Sequence, residues 1–206
     1  MAFYDDYILP RFIRCACGTK PIMKQREKVV PRAQGTVLEI GIGPGLNLPY
    51  YDSDKVDRLI GLDPSQASWE LVGEKAQGLG FDVEFVGLPG EQIPLDDNSV
   101  DSIVVTYSLC TIPDPHAALQ GMARVLKPGG ELVFSEHGKA PDAGVAKWQD
   151  RVNPMWKKFA GGCNLNRDIP KLLGDGGFAV SELDECYLPG TPKIAGFTYW
   201  GSARLA

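Results

Sequence analysis

The chain has 206 residues, of which 44% are hydrophobic and 23% charged. These values fit an ordinary folded domain with a full apolar core and exclude a wholly disordered chain. The formal net charge of -5 argues against a nucleic-acid partner, which usually meets a basic face. No stretch reaches the roughly 20 apolar residues of a membrane span. Residues 1–18 carry Asp5, Asp6 and Arg11 where a signal peptide would be apolar. The expectation is a cytoplasmic protein without stable membrane insertion. Nothing in the pattern sets an oligomeric state.

Strand and helix signals then alternate along the chain. Residues 1–34 precede the first strand and are expected to form a helical lid. Short apolar runs follow at Thr36–Ile40, Arg58–Leu62, Val83–Val86, Val100–Thr106 and Glu131–Ser135. Between them, Ser65–Gln77 and Asp114–Leu126 read as helices; the second has Ala118, Met122, Val125 and Leu126 at helical spacing. Lys127-Pro128-Gly129-Gly130 stops it. Residues of about 139–175 form an insertion rich in Trp, Asn and Gly. Phe178–Tyr187 and Ala195–Ala203 are two strand-like runs with no helix between them, so they predict an antiparallel pair. The fold class is α/β, a Rossmann-like, doubly wound, mostly parallel sheet with an antiparallel end, in a single domain over 1–206.

The five cysteines, Cys15, Cys17, Cys110, Cys163 and Cys186, are odd in number and contain no CxxC. That pattern predicts reduced thiols. Cys15 and Cys17 lack nearby partners for a metal, so no metal is expected. Cys110 and Cys163 read as small packing residues.

The strongest local signal is Glu39-Ile40-Gly41-Ile42-Gly43-Pro44-Gly45, directly after a strand and before a segment read as helical. Glycine tolerates positive φ and lets a ligand approach the backbone. N–H groups at a helix start receive an anion. Asp63 ends the second strand about 20 residues later, where an acid binds ribose hydroxyls; capping the helix that begins at Pro64 is its structural alternative. Gly90-Glu91 follows the third strand and Ser108 the fourth. All these stations fall on the carboxyl edge of a parallel sheet, where ligands bind in such folds. A dinucleotide fingerprint would need glycine at position 46, and Leu46 is there. Glu39 also suits a cationic amino group better than a pyrophosphate.

Taken together, Val37–Gly45, Leu62-Asp63-Pro64, Gly90-Glu91 and Arg124–Gly130 resemble the class I methyltransferases that use S-adenosylmethionine (SAM). The resemblance implies a seven-stranded sheet with strand seven between strands five and six. It implies SAM as cofactor, held by Glu39, Gly41, Gly43, Gly45, Asn47, Asp63, Pro64, Gly90, Glu91 and Ser108. Ser108-Leu109-Cys110, Glu136-His137, Trp148-Gln149, Pro154-Met155-Trp156 and Gly162–Leu165 are similar to the methyltransferase-like 7 group, related to alkyl-thiol methyltransferases. Residues 1–34 do not resemble the long apolar N-terminal anchor of its membrane-associated members, so no such anchor is expected. The expected reaction is methyl transfer to a small molecule, a thiol or sulfide first. The alternatives are N- or O-methylation of a small metabolite or lipid headgroup, or SAM binding without catalysis.

Methyl transfer from a sulfonium is an in-line displacement and needs a nucleophile held close and dry. His137 ends the fifth strand at the same sheet edge and is the catalytic candidate, as base or in orienting the acceptor. A purely structural hydrogen bond is the alternative. His116 is expected on the surface. Trp148 and Trp156 lie on one helix face and either wall the acceptor pocket or pack in the core. Tyr4 and Tyr7, in the N-terminal segment, are candidates to close over the cofactor. Asn166 is a candidate helix N-cap.

Overall fold

The computed structural model describes residues 17–70, 72 and 76–206. Tyr4, Tyr7, Cys15 and the first half of the expected lid lie outside the described residues. Helix α1 (Lys20–Val29) leads into β1 (Gly35–Ile40). Then come β2 (Val56–Leu62), α2 (Gln66–Glu70), β3 (Asp82–Val86) and β4 (Val100–Thr106). Next are α3 (Pro115–Val125), β5 (Leu126–His137), α4 (Ala143–Phe159) and α5 (Ile169–Asp175). The chain ends with β6 (Phe178–Tyr187), the short α6 (Lys193–Gly196) and β7 (Phe197–Leu205).

The seven strands form one sheet in the order β3-β2-β1-β4-β5-β7-β6. β1 to β5 pair in parallel, while β7 runs antiparallel to both β5 and β6. Side chains alternate between the two faces. Leu38, Ile60, Val105 and Phe134 join Ala118, Met122 and Leu173 under α3 and α5. Val37, Leu59, Val104 and Val133 join Val29, Val30 and Leu48 on the other face. The strand order reverses between β1 and β4, and a crevice opens there at the carboxyl ends of the strands.

Most local signals hold, with informative departures. Asp114 caps α3 by accepting from Ala117 N at 3.0 Å. The helix stops at Val125 as expected, but the following strand already begins at Leu126, which pairs with Val100. Lys127–Gly130 bulge out before pairing resumes at Glu131. The Asn166 cap is not realised. Asp168 caps α5 instead by accepting from Lys171 N, and Asn166 binds Asp150. His116 is exposed, as expected. No described helix is long and apolar enough to cross a membrane.

Candidate active site

A cavity of about 300 Å³ occupies the crevice. Its wall runs from the β1 loop (Gly41, Ile42, Gly43) to the end of β2 (Asp63, Pro64), the loop after β3 (Gly90, Glu91) and the end of β4 (Tyr107, Ser108). Cys17 and Arg26 complete it. Gly41 and Gly43 have φ of 73° and 50°. A Cβ on Gly41 would also overlap the Ser108 side chain, so glycine is required there twice over.

Asp63 organises the glycine turn. It accepts from Gly43 N at 3.0 Å through one carboxyl oxygen and from Ser65 N at 2.8 Å through the other. Each oxygen has a second lone pair left for ligand hydroxyls. Burial raises the Asp63 carboxyl above its usual range, against the pull of those two N–H groups. Glu91 Oε1 accepts from Asp114 N, while its buried Oε2 has no protein partner among the described residues. A ligand donor at the cavity would satisfy that oxygen.

Glu39, Gly45 and Asn47 stand behind the wall, outside the cavity lining. Gly45 packs toward Leu48 and Val72 at φ 68°. Asn47 Nδ2 donates to Glu39 Oε1 at 2.9 Å, and Tyr51 OH donates to Glu39 Oε2 at 2.7 Å. Asn47 Oδ1 accepts from Arg26 Nη1 at 2.7 Å, and Thr106 Oγ1 accepts from the same nitrogen at 2.6 Å. The fully buried Glu39 thus anchors a relay that fixes the Arg26 guanidinium at the cavity. The segment after the glycine turn is not an α-helix among the described residues. It makes only a single 3₁₀ turn at Leu48–Tyr50, after which Tyr51 is already extended. Arg26 supplies the positive charge that a helix start was expected to give.

Burial pushes the Glu39 carboxyl up from 4.5 to about 7, against the Tyr51 and Asn47 hydrogen bonds and the Arg26 charge. Below about pH 4.5 both folded and unfolded chains hold this proton. Between about 4.5 and 7 only the folded chain holds it, so stability from this group falls as pH rises through that window. The loss amounts to roughly 3 kcal/mol. Urea unfolding of the ligand-free protein at pH 5 and pH 8 should show a steeper decline for the natural chain than for Glu39→Gln. Parallel declines would remove Glu39 from the account.

Glu136 is fully buried at the end of β5 and holds the loop after β4. Its carboxylate accepts from Ser108 N at 2.5 Å, Leu109 N at 3.0 Å and Cys110 N at 3.3 Å. Burial still raises its carboxyl, against these N–H groups. Tyr107, just before them, takes φ 54°, uncommon for a bulky residue. The pinning by Glu136 sustains the strained Tyr107 backbone and holds Ser108 at the cavity.

His137 does not line the cavity. Its Nε2 is 3.0 Å from Cys163 Sγ. Burial depresses the imidazole, but Cys163 and Glu136 outweigh that and leave it raised. Cys110 is buried as a packing residue would be, while Cys163 is half-buried beside His137. Neither expectation for Trp148 holds: it is 59% exposed and outside the cavity. The reason is that α4 attaches through Gln149, which donates to Gly138 O and Ile194 O and accepts from Ala140 N. That polar anchor leaves Trp148 out under the Arg151 guanidinium, whereas Trp156 is half-buried with its Nε1 shielded and outside the cavity lining.

Comparison with known proteins decides the family. Residues 38–134 match the family described as "Methyltransferase domain". Human thiol S-methyltransferase TMT1B is 35% identical over 169 residues, spanning 78% of this chain and 68% of the relative. The chain belongs to the class I SAM-dependent methyltransferases. Human thiol S-methyltransferase TMT1A is 31% identical over 162 residues, 77% of this methyltransferase and 66% of that protein. Phosphatidylethanolamine N-methyltransferase of Cereibacter sphaeroides is 33% identical over 118 residues, 55% of this chain and 57% of its own. The fold is shared with geranyl diphosphate methyltransferase solved with SAM, at a TM-score of 0.71 and 17% identity over 89% of this chain and 85% of that one. A SAM-dependent methyltransferase from Methanosarcina mazei gives 0.65 and 22% over 82% and 91%. The methyltransferase therefore uses SAM as methyl donor. The unpartnered Glu91 oxygen, the Asp63 lone pairs and the fixed Arg26 guanidinium match a ligand with both donor groups and a carboxylate.

Sequence reasoning missed Arg26 and Glu136. Arg26 is a buried charge on a polar helix, and Glu136 a buried acid inside an apolar strand. Glu136 was legible as an anomaly, since an unpaired acid does not sit in a central strand without a task.

Proposed function

We propose that this methyltransferase transfers the methyl group of SAM to the sulfur of a small thiol. The observation carrying this reading is the 35% identity to a thiol S-methyltransferase over most of the chain, together with a cavity whose ligand groups are in place. When bound, SAM supplies an electrophilic methyl on a sulfonium. Asp63 would accept from the ribose hydroxyls and Glu91 from a donor of the nucleoside. Arg26 would receive the methionyl carboxylate, with Glu39 positioning it from behind through Asn47. Ser108, fixed by Glu136, would border the bound cofactor. The apolar wall around Ile42 and Ile112 would limit water at the displacement once the cofactor fills the cavity. A thiol of ordinary pKa is already a few per cent thiolate at neutral pH, so little base strength is needed. His137 works from beside the cavity, by orienting the acceptor end of the site rather than by touching the cofactor.

This reading places the protein in the cytoplasm, acting on a soluble small molecule and without a nucleic-acid partner. The test is turnover, followed as S-adenosylhomocysteine release, on a panel of alkyl thiols, sulfide, amines and phenols. Turnover confined to thiols and sulfide is expected. Turnover on amines or phenols alone would replace the acceptor class and keep the cofactor.

A further inference from the structure

Three metal-ligating side chains far apart in sequence meet beside the cavity. Cys110 Sγ, a ring nitrogen of His137 and Cys163 Sγ all lie within 4.8 Å of one another. They come from three elements: the loop after β4, the end of β5 and the loop after α4. In a tetrahedral zinc centre with bonds of about 2.0–2.3 Å, neighbouring ligand atoms sit roughly 3.5–3.8 Å apart. His137 Nε2 and Cys163 Sγ, 3.0 Å apart, need to open by about half an ångström, and any pair near the 4.8 Å limit needs to close by about an ångström. Their frame is already built. Cys110 N donates to Glu136, and Cys110 O accepts from Asn164 N at 2.8 Å and Asn164 Nδ2 at 2.9 Å. Thr111 Oγ1 is 3.4 Å from Cys110 Sγ, placed to donate its hydroxyl to a thiolate there. Such outer partners orient metal ligands. Thr111 lines the cavity and touches Cys110, so the cluster borders the cavity wall.

We propose that Cys110, His137 and Cys163 bind a zinc ion whose open fourth position takes the acceptor thiol. This rests on the thiol reading above. Two cysteines and one histidine with a free position is a donor set of catalytic zinc sites, whereas structural sites fill all four positions. Two thiolates neutralise the dication, and soft sulfur ligands favour zinc over magnesium or calcium. An acceptor thiol entering the fourth position loses its proton to solvent and becomes a zinc-bound thiolate. Its sulfur then forms a bond to the methyl carbon as the bond from that carbon to the sulfonium breaks. The products are a neutral thioether, which leaves the metal, and S-adenosylhomocysteine. No oxidant or reductant takes part.

The experiment is titration of the reduced, metal-free full chain with cobalt(II) under anaerobic conditions, followed by addition of ethanethiol. One equivalent should give a sulfur-to-cobalt charge-transfer band and intense visible bands of four-coordinate cobalt, and ethanethiol should shift both. Cys163→Ser and Cys110→Ser should lose the charge-transfer intensity, with SAM affinity and circular dichroism serving as the folding check. Cys186→Ser, on the edge strand β6, should keep it. No tight uptake by the reduced chain, or bands unchanged in both cysteine variants, overturns the site. Bands indifferent to ethanethiol overturn the open position, as expected were Cys17 the fourth ligand. Chelator-treated protein that methylates thiols at full rate overturns the role of zinc while leaving the S-methyltransferase reading intact. Cobalt bound with no thiol ever methylated would sink that reading instead.

Discussion

Replacing Glu136 with alanine should destabilise the protein by about 3–5 kcal/mol, the largest loss expected from any single site residue. The carboxylate accepts from the backbone N–H groups of Ser108, Leu109 and Cys110 while fully buried. Removing it strands three donors, each costing about 1–3 kcal/mol when water cannot reach them. Partial solvation of the relaxed loop keeps the total below a simple sum. Glu136→Gln keeps one acceptor oxygen and should lose less. Denaturant unfolding checks both variants. SAM affinity should fall as well, because Tyr107 holds its positive φ only while the loop is pinned. A loss under about 1 kcal/mol in the alanine variant would show that the loop does not depend on this carboxylate.

Asp63→Ala should weaken SAM binding by roughly ten- to a hundredfold, the loss of charge-assisted hydrogen bonds worth about 1.5–3 kcal/mol. Two effects combine. The carboxylate oxygens facing the cavity disappear, and Gly43 N and Ser65 N lose their acceptor. Asp63→Asn separates them: its amide still accepts from one of the two N–H groups but carries no charge. Calorimetric titration with SAM and with S-adenosylhomocysteine should show the same loss for both ligands, since Asp63 sits at the nucleoside end. Unchanged affinity in the alanine variant would remove Asp63 from the cofactor site.

The sheet was legible because its strands are apolar runs bounded by breakers, and their spacing allowed little but parallel pairing. The glycine turn, Asp63 and Glu91 were legible because few residue types meet their geometric demands. Other features were hidden by physics that acts only in three dimensions. Arg26 looks like an ordinary solvated helix charge until the fold buries it against Asn47 and Thr106. Glu39 reads as a ligand contact, yet its partners come from Asn47 and Tyr51 across a turn. The tryptophans of helix α4 read as a pocket wall or as core packing, but Gln149 sets the helix orientation. Cys110, His137 and Cys163 carry no joint signal, because 53 positions separate the first from the last and only the sheet edge unites them.

The most direct test of the central claim follows the methyl group itself. SAM carrying a fully deuterated methyl is incubated with the protein and a small alkyl thiol, and the product is analysed by mass spectrometry. The account predicts a thioether bearing all three deuterons on sulfur, formed in equal amount with S-adenosylhomocysteine, and sharply reduced by Asp63→Ala at limiting SAM. A deuterated product on nitrogen, oxygen or carbon in a wider acceptor mixture, with none on sulfur, would contradict it.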